Sequence, residues 1–109
     1  MIKLLKVIPS TRKDKKYAAY FKIDNKREVV THFGQKNARD YTLMSNPSSK
    51  FYIKDIKERE KVKDLYIKRH AKKENWNAPL TAGALSRFLL WSIPSFAGAI
   101  RNYKNKFDL

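Results

Sequence analysis

The chain has no cysteine, three glycines, four prolines and ten acidic residues among its 109 positions. Without cysteine it has no disulfide, no thiolate metal ligand and no thiol nucleophile, which fits assembly in a reducing compartment. The few glycines form no phosphate-cradling or nucleophile-elbow motif: GxxxxGK[ST], GxGxxG and GxSxG are all missing. Gly83 in "TAGA" and Gly98 in "FAGA" read instead as places of close helix packing, and Gly34-Gln35-Lys36 is too short to hold a phosphate by itself. No apolar run reaches the roughly 20 residues of a membrane span, and the N-terminal run is too short for a signal peptide. The expectation is a soluble, unsecreted protein with no membrane partner. Only two histidines occur, His32 and His70, with no HExxH, HxH or helical pair, so neither a metal nor a cofactor is expected. No acid, base and nucleophile converge in the sequence, which argues against an enzyme.

The shortage of acids leaves the charge uncompensated. Twenty-five Lys and Arg stand against ten Asp and Glu, a net charge of +15 with a pI near 10.1. Such a chain carries a field that attracts polyanions, nucleic acid first among them. The basic residues form three clusters: Arg12, Lys13, Lys15 and Lys16; Lys36 with Arg39; and Lys68, Lys72 and Lys73. Phosphate contacts need such donors and carry no base specificity. Tyr17, Tyr20 and Trp76 lie beside these charges, but Tyr17 shares the core-facing parity of its strand, so a core role is expected of the aromatics.

The pattern of apolar residues points to one domain, 1–109, of α+β class: a small antiparallel sheet of three N-terminal strands, including a hairpin, covered by three C-terminal helices. Residues 2–9 form a strand ended by Pro9. In residues 17–23, Tyr17, Ala19, Phe21 and Ile23 share one face by the two-residue period. "DNKRE" turns the chain, residues 28–33 return as a third strand, and Gly34 closes the hairpin with a positive φ or a close approach. A short helical turn fits "QKNARDYTLM", and the Asn46-Pro47 segment is a loop.

A long helix is expected over about 52–74, with Val62, Leu65, Tyr66, Arg69 and His70 on one stripe extended by Ile56. Acids cluster at its start and bases at its end, as the helix dipole favours. Arg69 on that stripe needs a partner, and Asp40 is the candidate, giving a structural pair Asp40–Arg69 that ties the 35–45 segment to the helix. Leu80–Trp91, interrupted only by Thr81, Ser86 and Arg87, reads as a central buried helix capped by Thr81. A last amphipathic helix over about 94–106 starts at Pro94 with Ser92 ahead of it, and places Phe96, Ile100, Tyr103 and Phe107 on one side.

With these elements placed, the chain resembles a family of small basic proteins of unknown function from nucleocytoplasmic large DNA viruses, the mimivirus and phycodnavirus relatives. The resemblance runs from Tyr17 to Phe107. It rests on Phe33, Gly34, Asp40, Tyr41, Thr42, Arg69, His70, Trp76, Thr81, Gly83, Leu85, Ser86, Leu90 and Trp91. It implies a viral context, the virus factory in the host cytoplasm or the virion, and no activity. The function expected is nucleic-acid binding through the phosphate backbone, DNA before RNA, in genome packaging or virus-factory work. The alternative is a virion component that meets acidic protein or membrane surfaces through exposed aromatics of the hairpin or last helix.

Overall fold

The computed structural model describes all residues, 1–109, and shows three antiparallel strands followed by helices, an α+β fold. Strands β1 (Ile2–Pro9), β2 (Lys15–Ile23) and β3 (Arg27–Gln35) pair in the order β1-β2-β3. The β2–β3 turn works through Asp24 and Asn25, both at positive φ (51° and 57°), a conformation that Asp and Asn tolerate better than most residues. Tyr17, Ala19 and Phe21 pair with Phe33, Thr31 and Val29 and face the core, as their period demands. Leu5 is bulged out of β1 between Leu4 and Lys6, which keeps Leu4 inward and Lys6 outward. The opposite face, with Ile8, Tyr20 and Val30, takes no part in the core cluster; there the Lys6 ammonium lies 4.8 Å from the centre of the Tyr20 ring.

Helices lie against the inner face. A one-turn helix α1 (Tyr41–Met44) is capped by Asp40, whose Oδ1 accepts the Leu43 N–H at 2.8 Å. Helix α2 (Ile56–Ala71) is capped by Asp55, and ends earlier than its charge pattern suggested. Its rotation also differs from the expectation. Tyr66 is buried, with Val62 and His70 beside it, but Leu65 is 53% exposed, Ile56 is 62% exposed and Arg69 is exposed. The cause is aromatic: Tyr66 stacks on Trp91 at 4.2 Å with the rings 6° from parallel, and on His70 at 4.2 Å, and this turns Leu65 and Arg69 outward. Lys63, on the inner side, extends its ammonium to the Ser92 carbonyl at 2.8 Å and lies over the Tyr41 ring, so its stem packs while its charge is satisfied.

The central helix is present but not regular. Helix α3 (Ala82–Leu85) is capped by Thr81, as expected, and runs on as a π-helical segment, Ser86–Leu90. The Trp91 N–H reaches back five residues to the Ser86 carbonyl. Leu85, Leu89, Leu90 and Trp91 are all buried, so this rod is the core as its composition implied. Helix α4 (Phe96–Phe107) begins at Ser95, whose Oγ accepts the Gly98 N–H at 3.0 Å; Ser95, not Ser92, is its cap, and Pro94 precedes the helix. Tyr103 is buried and donates to the Pro79 carbonyl at 2.5 Å, fixing α4 to the loop before α3. No helix is long and apolar enough to cross a membrane.

Candidate nucleic-acid interface

Four segments distant in sequence meet at the C-terminal end of α2. They are the start of β2, the loop after β3, the last turns of α2 and the π-helical segment. Between them lies a cleft of about 390 Å³. Lys15 and Lys16, Arg39, and Arg69 line it, set against two carboxylates, Asp40 and Glu74. Leu90 and Trp91 supply apolar wall.

Gly34 shapes the rim. Its φ of +78° excludes most side chains, and a Cβ there would stand 2.9 Å from Leu90 Cδ1 and 3.2 Å from Lys16 Cβ. Both reasons expected for this glycine therefore apply.

Both acids are already engaged. The Lys16 ammonium donates to Asp40 Oδ2 at 2.6 Å and to the Ala38 carbonyl at 2.6 Å, with Asp40 only 3% exposed and Lys16 13%. Glu74 takes the Trp76 indole N–H at 2.9 Å and lies 3.2 Å from His70 Nδ1. Its carboxyl group lies beside Gly83, where a Cβ would stand 2.9 Å from Glu74 Cδ, so a side chain there would displace the carboxylate from this position. Lys15, Arg39 and Arg69 have no carboxylate partner. The cleft thus keeps three cations without a carboxylate partner around its opening; Lys16 neutralises Asp40, and the Glu74 carboxylate is hydrogen-bonded but keeps its charge.

The expected pair Asp40–Arg69 does not form. Asp40 takes Lys16 instead, because β2 delivers that ammonium from beneath while α2 turns Arg69 outward. Lys16 is accordingly committed to the fold and is not a free phosphate donor. The cationic clusters are brought together in part. Lys15, Arg39 and Arg69 share the cleft, and Lys36 lines a neighbouring cavity that also includes Lys16 and Asp40. Arg12 and Lys13 are exposed on the β1–β2 loop, Arg12 being 3.9 Å from Asp14. Lys68, Lys72 and Lys73 are exposed and do not line the cleft; Lys68 is in the last turn of α2, Lys72 is its C-cap and Lys73 lies in the turn beyond.

The histidines have separate roles. His32 Nδ1 and Ser10 Oγ are hydrogen-bonded at 2.7 Å, and the same oxygen accepts the Arg12 N–H; no carboxylate pairs with that ring. His70 belongs to the Tyr66 stack and the Glu74 contact, and no three metal-ligating side chains gather anywhere.

Arg87 was not singled out by the sequence. It lies against the Trp76 and Phe88 rings at 5.5 Å each and donates to the Trp91 carbonyl at 2.8 Å, while its Nε is buried without a partner. Burial lowers its pKa from the ordinary arginine value. Burial likewise raises the pKa of Tyr66, aided by the Glu74 charge. The interruption of the apolar run Leu80–Trp91 by one arginine was the available signal for Arg87, since a charge on a buried helix needs an aromatic or carbonyl partner.

Neither a curated protein nor a solved structure matches the chain. Residues 5–52, which span most of β1, all of β2 and β3 and the Asp40-capped turn but none of α2, match the profile of a family of unknown function (DUF5754).

Proposed function

We propose that the protein binds nucleic acid, DNA in preference to RNA, by phosphate contacts centred on this cleft and with little base specificity. One observation carries the reading: Lys15, Arg39 and Arg69, from three distant segments, line one cleft, none of them in an ion pair, and outnumber Glu74, the one cleft carboxylate that no lysine or arginine neutralises. The exposed Lys72 and Lys73, in the turn that follows α2, add positive charge beyond Arg69. Electrostatic contacts of this kind hold a polyanion through counterion release and place no demand on sequence. The resemblance of the sequence to small basic proteins of large DNA viruses supports a role for such binding in genome packaging or virus-factory work.

The test is binding of labelled DNA across a salt series. Affinity falls steeply as salt rises, and Arg39→Glu with Arg69→Glu lowers it at least tenfold and flattens the salt slope by about one unit per cation removed. Binding indifferent to salt, or unchanged in the double variant, overturns the proposal. The alternative role, assembly through exposed aromatics of the hairpin or the last helix, has less support: Tyr17, Phe21, Phe33, Phe96, Tyr103 and Phe107 belong to the core or pack on it, and of the exposed large apolar residues, Met1, Leu5, Val30, Tyr52, Ile56 and Leu65, the one aromatic, Tyr52, is in neither element.

A further inference from the structure

The cleft has a neighbour with different chemistry. A second cavity, of about 320 Å³, lies on the other side of the Lys16–Asp40 pair, and Lys16, Asp40 and Leu90 line both. Its walls are Pro9, Leu43, Leu90 and Phe96, with Tyr17 held between Phe96 (4.7 Å, stacked) and Phe33 (5.8 Å). Polar groups are few. Asp40 and Lys16 line it as an ion pair already made, and Lys36 offers an ammonium group with no carboxylate partner. The Tyr17 phenol is a proton donor at neutral pH as any tyrosine is, and burial, with the Asp40 charge behind it, raises its pKa further. Thr42 also lines the cavity, and its buried hydroxyl has no partner within the fold.

A mostly apolar slot with a few convergent donors and acceptors suits a flat heteroaromatic ring with polar edges. A ring of that kind joined to a phosphate is a nucleotide, and the two cavities meet at a shared wall with unpaired cations on one side and apolar surface on the other. We infer that the second cavity takes one unpaired nucleobase while the adjoining phosphates lie in the cationic cleft, so that the protein prefers single-stranded to duplex nucleic acid. This rests on the nucleic-acid reading above. In a duplex the bases are paired and stacked, and drawing one out breaks both interactions; the same phosphates without a free base cannot fill the slot.

The experiment is fluorescence anisotropy of the full chain at matched salt with three labelled probes: a single-stranded oligodeoxynucleotide, an abasic strand of equal length, and the duplex. The single strand binds at least tenfold tighter than either of the others. Leu43→Trp, which fills the cavity from its rim, erases that preference. Tyr17→Phe, which keeps the stack on Phe96 and removes only the hydroxyl, reduces it at least threefold and guards against a folding defect in the first variant. Equal affinity for all three probes, with a steep salt dependence, overturns the base slot and leaves the backbone reading standing. A preference that survives Leu43→Trp overturns the slot's location. No binding to any probe overturns both readings together.

Discussion

The two ends of α2 make opposite use of the same helix. At its C-terminal end Tyr66 is sealed between Trp91 and His70, and Arg69 opens onto the cationic cleft. Toward its N-terminal end Asp55, Glu58 and Glu60 alternate with Lys57, Arg59 and Lys61 and Ile56 lies in solvent, as Leu65 does on the outer side farther along. Charges of both signs alternate where the helix is open, and cations without a carboxylate partner line the cleft at the end sealed by rings. A fixed cleft needs a rigid wall, and the Tyr66–Trp91 stack provides it; the far half is held instead by Lys63, which reaches the Ser92 carbonyl.

The largest effect that sharpens this contrast comes from the stack. Trp91→Ala removes the wall of the cleft and costs about 3–5 kcal/mol in chemical denaturation, whereas Leu65→Ala on the outer side stays within about 0.5 kcal/mol. Equal losses at the two sites break the comparison. Next comes the ion pair beneath the cleft. Asp40→Ala strips the cap of α1 and leaves the Lys16 ammonium buried with only a carbonyl, and lowers stability by about 3 kcal/mol. An unchanged melting temperature would show that Lys16 reaches solvent freely.

Alkaline pH gives a smaller change. Tyr66 and Tyr103 have pKa values raised by burial, so both phenols stay protonated in the fold while an unfolded chain ionises them near pH 10. Their contribution is complete below that pH and is lost as pH rises beyond it, because the unfolded state then binds fewer protons than the native one. Melting followed from pH 8 to 11.5 is expected to be flat on this account up to about pH 10. It then declines by no more than about 1 kcal/mol per pH unit for each phenol, allowing for solvent screening. Tyr66→Phe reduces the decline. The smallest effect is Arg69→Ala, which alters stability by less than about 0.5 kcal/mol because the side chain is exposed and unpaired; a large loss would restore it as a structural partner of the helix.

Much of the frame was legible along the chain. The two-residue period of "YAAYFKI" placed Ala19 and Phe21 inward, Asp24-Asn25 marked the turn, and Thr81 announced its helix by its hydroxyl, since each of these depends on residues a few positions away. The cleft was legible only in pieces. Three basic clusters were visible, yet nothing in their spacing told which members would meet: Lys15, Arg39 and Arg69 do, while Arg12, Lys13 and Lys68 do not line it. The stripe on α2 was misjudged by counting Leu65 and Ile56 as apolar contacts when the ring of Tyr66 sets the rotation.

The order of residues alone determined the three strands, the Thr81 cap, the buried character of Leu80–Trp91 and an excess of positive charge, because periodicity, turn chemistry and composition act locally or in bulk. Tertiary structure decided that Lys16, 24 positions away, neutralises Asp40, that Ser86–Leu90 widens into a π-helical turn at the cleft, and that Arg69 stays unpaired. Those outcomes depend on which ring or ammonium arrives first at a given point in space, a matter of how distant segments pack against one another.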